Sequence, residues 1–299
     1  MSATDERIGA GPISWGVCEV PGWGVMLPAE RVLTEMASIG IVATELGAPG
    51  FLPRDARELL AVLGRHGVSL LGGFVPLVLH DASGRGAALA AAHETADLFS
   101  SAGASVFVSA AVVDAEWAPR FPLSPTNWDH LFGMLDELEE LCEGYGLTHA
   151  LHPHVGTLVE TRDDVRTVLE RSSVRWCLDT GHLLIGGYDP AAFAADASGR
   201  VAHVHVKDVR NNVADQVRSG TLSLVAAVQK GLFCPLGTGD APIAATIDRL
   251  EHNGYRGWYV LEQDTALGTS EPTPGSGPID DARQSVAFLR GVLTRQGAG

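Results

Sequence analysis

The segment RWCLDTGHLLIGGYDPAAFAADASGRVAHVHVKD, residues 175–208, decides the fold, because it places two short β-rich runs on either side of a longer stretch. The runs are Arg175–Asp179 and Val201–Val206, and each is rich in side chains that can bind metals. Strands joined through a crossover of this length are typically parallel and lie in one sheet. The segment therefore predicts two parallel strands whose carboxyl ends carry polar side chains.

The same alternation extends through the chain in both directions. Eight strand-like runs recur, and stretches with apolar residues at three- and four-residue spacing, typical of helices, lie between them. The predicted strands are Ile8–Trp15, Ile41–Leu46, Ser69–Val75, Ser105–Ala111, Thr148–His152, Arg175–Asp179, Val201–Val206 and Trp258–Gln263. The predicted helices include Ala29–Ile39, Arg54–Arg65, Ala87–Ala102, Trp128–Tyr145, Arg162–Glu170 and Ala241–Asn253. We expect Asn127 to cap the helix Trp128–Tyr145 at its start and Gly146 to end it, while Gly103 and Gly254 end others.

Eight strand-helix repeats predict an α/β fold, a (β/α)8 TIM barrel that forms a single domain over residues 1–299. A doubly wound open sheet has the same local pattern, but no GxGxxG sequence follows the first strand to suggest a dinucleotide fold. Two segments are longer than simple loops, namely 213–236 and the Pro/Gly/Ser-rich 268–278. The second of these is predicted to be an ordered excursion or a flexible lid.

Composition and charge narrow the range of possible functions. Hydrophobic residues make up 45% of the chain and charged residues 19%, which is typical of a globular protein. The net charge of −15 argues against nucleic acid or anionic lipid as a partner. The four cysteines form no CxxC pair, and neither a signal-peptide core nor an apolar run of ~20 residues is present. We expect a soluble, cytoplasmic protein with a small-molecule substrate, and homo-oligomerisation stays open.

The last four predicted strands all end in residues that can bind a metal. The segments are His152-Pro153-His154, Asp179-Thr180-Gly181-His182, His203-Val204-His205-Val206-Lys207-Asp208 and Glu262-Gln263-Asp264. In a (β/α)8 barrel the carboxyl ends of the strands meet at one face, so these groups converge. A mixed nitrogen and oxygen donor set suits Mn, Co, Fe or Zn rather than a soft thiolate metal. The sequence therefore predicts one divalent metal site, which would also relieve repulsion between the carboxylates.

These and other motifs resemble the inosose (2-keto-myo-inositol) dehydratases of the xylose isomerase-like barrel superfamily. The resemblance covers nearly the whole chain, and His-Pro-His-x-Gly-Thr and His-x-Lys-Asp-Val-Arg are its more specific parts. The motifs are Gly11-Pro12-Ile13-Ser14-Trp15, Thr44-Glu45-Leu46-Gly47, Phe51-Leu52-Pro53, His152-Pro153-His154-Val155-Gly156-Thr157, Asp179-Thr180-Gly181-His182, His203-Val204-His205-Val206-Lys207-Asp208-Val209-Arg210, Gly231-Leu232-Phe233, Leu236-Gly237-Thr238-Gly239, Gly254-Tyr255-Arg256-Gly257-Trp258 and Glu262-Gln263-Asp264.

The resemblance implies that four side chains hold the metal, and it implies a substrate contact for His182. The implied ligands are His152, Asp179, His205 and Glu262. Mn²⁺ or Co²⁺ is the favoured ion, and Zn²⁺, Fe²⁺ and Mg²⁺ are also compatible. Sugar epimerases of the superfamily carry a Glu at the position of His152, so His154 is an alternative ligand.

Dehydration of such a ketone requires removal of a proton next to the carbonyl and loss of the β-hydroxyl. The predicted base is Glu262 or His154, and the predicted acid is His182, Lys207 or a metal-bound water. Lys207 and Arg210 are suited to orienting hydroxyls or a developing anion.

Two further residues are predicted to contact the substrate. We expect Glu45, at the end of the second strand, to accept hydrogen bonds from hydroxyls, and Trp15 to offer an apolar ring wall.

Other reactions and roles remain as alternatives. A keto-sugar epimerase or isomerase, or β-elimination from a 3-keto-glycoside, would begin with the same proton abstraction. A multi-metal nuclease of the apurinic-endonuclease type shares the barrel, but the acidic charge argues against it. A sugar-binding barrel without catalysis would not need four convergent ligands.

Overall fold

The computed structural model describes residues 7–296, so the first six and last three residues of the predicted 1–299 domain lie outside it. Its strands are β1 Ile8–Ala10, β2 Ala43–Glu45, β3 Ser69–Gly72, β4 Phe74–Leu77, β5 Val106–Ala111, β6 Thr148–Leu151, β7 Trp176–Asp179, β8 Val201–Val206, β9 Asp208–Val209, β10 Phe233–Cys234 and β11 Tyr259–Leu261. Its α-helices are α1 Ala29–Ser38, α2 Ala56–His66, α3 Arg85–Ser101, α4 Pro125–Gly144, α5 Arg162–Arg171, α6 Thr180–Ile185, α7 Pro190–Asp196, α8 Asn211–Arg218, α9 Leu224–Gln229, α10 Ile243–His252 and α11 Pro278–Gln296.

Nine parallel strands form one sheet in the order β3-β2-β1-β11-β8-β7-β6-β5-β4. The terminal members of this order, β3 and β4, are the two halves of the single predicted strand Ser69–Val75. The Ser105 amide donates to the Leu71 carbonyl and the Val108 amide donates to the Gly73 carbonyl, so both halves contact the strand region of β5. The predicted (β/α)8 barrel is confirmed, with one strand broken at its middle.

The strand breaks at Gly72 because the backbone of β5 lies against it. A Cβ atom on Gly72 would come within 1.9 Å of the Val106 carbonyl oxygen, so only glycine fits there. This close approach depends on a residue far along the chain, and the pattern around Gly72 does not reveal it.

The other predicted elements form with small changes at their ends. The first predicted strand, Ile8–Trp15, is correct only to Ala10, because residues Pro12–Trp15 turn into a 3-10 helix closed by the bond from the Ser14 amide to the Gly11 carbonyl. Ser124, not Asn127, is the N-cap of α4, and Asn127 instead closes the capping box from the third helical position.

Gly103, Gly146 and Gly254 follow helices α3, α4 and α10 with φ of 75°, 72° and 82°. The left-handed backbone expected after these helix ends is therefore confirmed.

The long segment before the last strand folds as a cap on the barrel. It contains α8 and α9, between two short strands, β9 and β10, that pair antiparallel. A second hydrophobic cluster, separate from the main core, includes Val213, Ala227 and Phe233 from this cap and Trp23 and Val155 from other loops. The cap thus has its own buried contacts.

The cap is attached to the barrel by the buried carboxylate of Asp208. Its two oxygens accept hydrogen bonds from the backbone amides of Val209, Gly237, Gly239 and Ala241. None of the helices within residues 7–296 is both long and apolar enough to span a bilayer.

Candidate metal centre

The four expected ligands occupy equivalent places at the carboxyl ends of neighbouring strands. Asp179 is the last residue of β7, and its neighbour in the register of β8 is His205. His152 follows β6 directly and stays in line because its amide donates to the Ser109 carbonyl at 2.8 Å. Glu262 follows β11 in the same way, with its amide bonded to the Val206 carbonyl at 3.1 Å. Strand pairing therefore brings all four side chains to one end of the barrel.

One potential ligand atom from each of these four residues lies within 4.8 Å of the others. His152 Nε2 is 3.4 Å from Asp179 Oδ2, and His205 Nδ1 is 3.2 Å from Glu262 Oε2. Both ring nitrogens of His152, Asp179 Oδ2 and His205 Nδ1 are buried without a hydrogen-bond partner among the described residues. Buried polar atoms are rarely left unpaired, so this donor set fits a divalent cation.

Asp179 divides its two oxygens between the helix and the metal centre. Its Oδ1 accepts hydrogen bonds from the amides of Gly181 and His182, each at 2.8 Å, and so caps α6. Burial raises the pKa of Asp179, but the nearby Lys207 and His182 outweigh this and hold the pKa far below its ordinary value. The carboxylate is therefore ionised, and its Oδ2 remains free to bind a cation.

Two other metal-competent groups occur among residues 7–296, and both share His205. One adds His152 and Cys177, but burial raises the pKa of the Cys177 thiol to about 12, and a protonated thiol is a poor ligand. The other group joins His205 to Glu45 and His203. In this group Glu45 Oε1 is already hydrogen bonded to the Nε2 atoms of both histidines. The four-residue set is the one that combines unpaired imidazole nitrogens with an unpaired carboxylate oxygen, Asp179 Oδ2.

Glu45 has a different partner from the one that the sequence suggested. Its Oε1 lies 2.7 Å from His203 Nε2 and 2.9 Å from His205 Nε2, and its side chain is 3% exposed. These contacts engage Oε1 only, and the expectation that Glu45 accepts hydrogen bonds from the substrate stays a prediction. The carboxylate faces two imidazoles because both histidines point to the same side of β8.

His154 lies beside the four-residue set but outside it. Its Nδ1 donates to the Val155 carbonyl at 2.7 Å, which leaves Nε2 as the nitrogen with the lone pair. Desolvation of the ring and the neighbouring His152 imidazole lower the pKa of His154 to about 3. The ring is therefore neutral near pH 7 and can accept a proton at Nε2.

His182 packs against His154, with 3.8 Å between the ring centroids. Its Nδ1 accepts a hydrogen bond from the Val155 amide at 3.3 Å, and its Nε2 is 3.1 Å from Lys207 Nζ. Burial, then the nearby His154 and Lys207, lower the pKa of His182 well below its ordinary value. His182 thus links the loop after β6 to Lys207, which directly follows β8.

Lys207 is a buried ammonium group at the edge of the metal centre. Its Nζ is 2.6 Å from Asp264 Oδ1, 3.2 Å from Glu262 Oε2 and 3.5 Å from Asp179 Oδ2. Burial opposes the charge, but these three carboxylates raise the pKa of Lys207 above its ordinary value. Lys207 is therefore charged and donates hydrogen bonds at the edge of the metal centre.

Two residues expected at the substrate are engaged elsewhere. Trp15 is fully buried in the main core, and its indole donates to Glu35 Oε2 on α1 at 2.9 Å. The 3-10 turn directs Trp15 toward the helix layer, and its expected role as a ring wall stays a prediction. Arg210 donates from Nη1 to the Gly231 carbonyl, which ties the start of α8 to the cap. A substrate contact by Arg210 stays a prediction.

Three aromatic residues near the centre were not among the site residues predicted from the sequence. Phe74 and Trp117 stack on each other at 6.2 Å and lie 5.4 and 5.6 Å from the His154 ring. Phe233 of the cap lies 5.0 Å from Lys207 Nζ. Trp117 has φ of 58°, and no other described non-glycine residue has a positive φ. Asp114, whose carboxylate accepts from the Glu116 and Ala118 amides, is the local signal of a turn, but it does not reveal that Trp117 lies beside His154.

Access to the centre is uneven. The side chain of Glu262 is 13% exposed, whereas those of His152, Asp179 and His205 are at most 1% exposed. A small molecule would therefore approach from the side of Glu262 and the partly buried His154.

Comparison with known proteins gives a family match and close relatives. The family described as xylose isomerase-like TIM barrel matches residues 33–292. Over 278 residues the chain is 30% identical to the inosose dehydratase of Geobacillus kaustophilus, covering 89% of this chain and 90% of that protein. It is 32% identical over 275 residues to the rhizopine catabolism protein MocC of Rhizobium meliloti, covering 89% and 84%.

Solved structures share the fold at lower sequence identity. An L-ribulose 3-epimerase matches with a TM-score of 0.70 and 18% identity, covering 98% of this chain and 96% of that one. The D-allulose 3-epimerase of Methylomonas sp. in complex with D-allulose matches with a TM-score of 0.68 and 16% identity, covering 95% and 96%. These similarities support the barrel architecture.

Proposed function

The chain belongs to the xylose isomerase-like TIM barrel family, and we propose that it is a metal-dependent lyase that removes water from an inosose, a cyclic polyhydroxy ketone. The observation that carries this proposal is one small site that combines four metal-competent donors, a neutral imidazole and a buried ammonium group. Relatives named inosose dehydratase that match about nine tenths of the chain support the substrate class.

The metal ligands in this proposal are His152, Asp179, His205 and Glu262. Two nitrogen and two oxygen donors suit Mn²⁺ or Co²⁺ and are compatible with Zn²⁺, Fe²⁺ or Mg²⁺. An ion held there supplies Lewis acidity toward a ketone oxygen and an adjacent hydroxyl. His152 is preferred to His154 as a ligand because both of its ring nitrogens are buried and unpaired among residues 7–296.

His154 is the proposed base. Its Nδ1 proton is fixed on the Val155 carbonyl, so Nε2 can take the proton from the carbon next to the ketone. The electron pair of that C–H bond forms a C=C bond, and negative charge develops on the ketone oxygen. The aromatic rings of Phe74 and Trp117 pack beside the His154 ring.

Lys207 is the proposed acid, with His182 beside it. As the C=O bond re-forms, the bond from the β-carbon to its hydroxyl breaks, and a proton from Lys207 Nζ converts the leaving hydroxide to water. The contact of Lys207 with Asp264 at 2.6 Å holds the ammonium group in place for this step. Proton exchange with solvent then deprotonates His154 and reprotonates Lys207, so the net change is the loss of one water from the ketone.

The test is to incubate the metal-loaded protein with 2-keto-myo-inositol and to follow the ultraviolet absorbance of the conjugated product. We expect a rise in absorbance that chelation abolishes and that re-addition of Mn²⁺ or Co²⁺ restores. Incorporation of solvent deuterium into the ketone without that rise would contradict dehydration. An epimeric ketone as the product would instead indicate an epimerase, which begins with the same proton abstraction.

A further inference from the structure

The buried carboxylate of Glu45 lies behind the proposed metal ligand His205, on the opposite side of the ring from the metal centre. The two residues are on strands that are not neighbours, because β1 and β11 separate β2 from β8 in the sheet. Their contact therefore crosses the interior of the barrel. Glu45 Oε1 meets His205 Nε2 at 2.9 Å, while His205 Nδ1 faces Glu262 Oε2 at 3.2 Å and Asp179 Oδ2 at 3.8 Å.

This arrangement fixes the tautomer of His205. A carboxylate oxygen is a hydrogen-bond acceptor, so a neutral His205 donates to Glu45 Oε1 from Nε2. A neutral His205 that carries its proton on Nε2 has its lone pair on Nδ1, the nitrogen directed at the metal centre.

His203 holds Glu45 in this position. It lies two residues before His205 on β8, and its Nε2 is 2.7 Å from the same Oε1 atom. All three side chains are buried, at no more than 3% exposure. The oxygen is thus shared by two imidazoles on one strand, and neither Glu45 nor His205 can rotate without breaking a buried hydrogen bond.

We propose that Glu45, held by His203, is a positioning residue that presents Nδ1 of His205 to the metal. The inference rests on the metal centre of the proposed function but not on its substrate. Carboxylates behind a ligating imidazole fix its orientation and increase its basicity, and their loss typically costs about 10- to 100-fold in metal affinity.

The test measures Zn²⁺ affinity of the purified protein by titration in competition with a chromophoric chelator. We expect Glu45→Ala to lose about 100-fold and Glu45→Gln about 10-fold, because the glutamine carbonyl can still accept one hydrogen bond. The matched control is Glu35→Gln, another buried carboxylate, which accepts from Trp15 and contacts no proposed ligand. Glu35→Gln should retain the wild-type Zn²⁺ affinity.

A spectroscopic readout tests the proposal on the unmodified chain. In ¹⁵N-histidine-labelled, Zn²⁺-loaded protein, His205 should show a protonated Nε2 and a metal-bound Nδ1, with its signals assigned by their loss in His205→Gln. A metal-bound Nε2 would overturn the proposal, as would wild-type affinity in Glu45→Ala. Two ions per chain would overturn it as well, because the second would occupy Glu45 and His203.

The outcomes separate this inference from the dehydratase assignment. If the protein binds one Zn²⁺ with the expected order of affinities but leaves 2-keto-myo-inositol unchanged, the substrate assignment fails and the role of Glu45 stands. If the ketone is dehydrated and Glu45→Ala binds Zn²⁺ normally, only the role of Glu45 fails.

Discussion

Asp179 shows how one carboxylate can end a strand, start a helix and bind a cation. Its Oδ1 is committed to the amides of Gly181 and His182, whereas Oδ2 is buried without a hydrogen-bond partner in the described part of the chain. An asparagine can cap a helix about as well as an aspartate, but its amide group carries no negative charge. Asp179→Asn therefore separates the two uses of the side chain.

We expect Asp179→Asn to keep α6 and to lose metal affinity by more than about 100-fold, since loss of a direct ligand exceeds the cost of losing a supporting group. Metal analysis after dialysis measures the occupancy, and circular dichroism reports the helices. The matched control is Asp189→Asn, because Asp189 caps α7 in the same way at an exposed position away from the centre. Full occupancy in Asp179→Asn would remove Asp179 from the ligand set.

His152 and His154 are two residues apart, and their rings are 5.5 Å apart, yet we predict different losses when each is replaced. His152→Ala should lose both metal affinity and turnover, because His152 belongs to the ligand set. His154→Ala should keep the metal and lose about 10²- to 10⁴-fold in the rate of proton transfer. Solvent-deuterium exchange into the ketone measures that step directly.

The two variants serve as controls for each other. Normal exchange in metal-replete His154→Ala would show that the base is elsewhere, and Glu262 would be the better candidate. Loss of metal only in His154→Ala would mean that the two roles are exchanged.

At the scale of elements, the Pro/Gly/Ser-rich segment 268–278 is held against α1. Arg31 donates to the carbonyls of Pro272 and Thr273 at 2.6 and 3.1 Å, and Glu35 accepts from the Gly275 amide at 3.0 Å. Arg31 and Glu35 also form an ion pair at 3.0 Å. Of the two predicted forms of this segment, the ordered excursion fits these contacts.

We predict that Arg31→Met makes this segment a site of faster proteolytic cleavage. Methionine keeps an apolar stem on α1 but cannot donate to the two carbonyls, so the local cost of opening the segment falls. Limited proteolysis with mass spectrometry measures the cleavage rate and position. Arg166→Met is the control, since Arg166 is an exposed arginine that pairs with Glu170 on α5, away from segment 268–278. Equal rates in both variants would contradict the role of Arg31.

The alternation of strands and helices could be predicted from the sequence, because each strand is a short apolar run and each helix has apolar residues at three- and four-residue spacing. The location of the site was predictable for the same reason, since a barrel brings the ends of β6, β7, β8 and β11 to one face. The contact between Glu45 and His205 was not, because it joins residues 160 positions apart on strands that do not pair. The contact can be recognised only in the folded barrel, because no local sequence pattern indicates it.

The loop residues show the same limit. The position of Trp117 beside His154 depends on an unusual backbone conformation with φ of 58°. A tryptophan with positive φ has no local sequence signature, since glycine and asparagine are the usual residues there. Tertiary contacts with Phe74 and His154 hold it instead.

At the scale of the whole molecule, the net charge of −15 predicts no appreciable binding to DNA at physiological salt. Neutralising phosphates requires clustered Lys and Arg, and the chain has 21 of these against 36 Asp and Glu. Gel-shift assays on a duplex with an abasic site test this prediction. Salt-sensitive binding accompanied by strand cleavage would favour the nuclease alternative.

The metal centre also predicts a link between metal binding and the stability of the entire barrel. The four proposed ligands come from the ends of four strands that are far apart in sequence, so the unfolded chain cannot present them together. An ion that binds only the folded state stabilises it by about 2.7 kcal/mol at a free concentration 100 times the Kd. For a chain of 299 residues, an unfolding entropy of ~2.1 cal/mol/K per residue makes 1 kcal/mol correspond to about 1.6 °C in Tm. We therefore expect EDTA to lower the Tm of the wild-type protein by roughly 4 °C relative to the protein at a free metal concentration 100 times the Kd.

Differential scanning calorimetry in EDTA and in excess Mn²⁺ measures this shift, and Asp179→Asn provides the internal control. The variant should unfold at nearly the same temperature in both solutions, because it no longer binds the ion. A nonspecific effect of Mn²⁺ or EDTA would shift both proteins equally. Such an equal shift would contradict a link through the four ligands, because the dependence of stability on metal must disappear when one of them is lost.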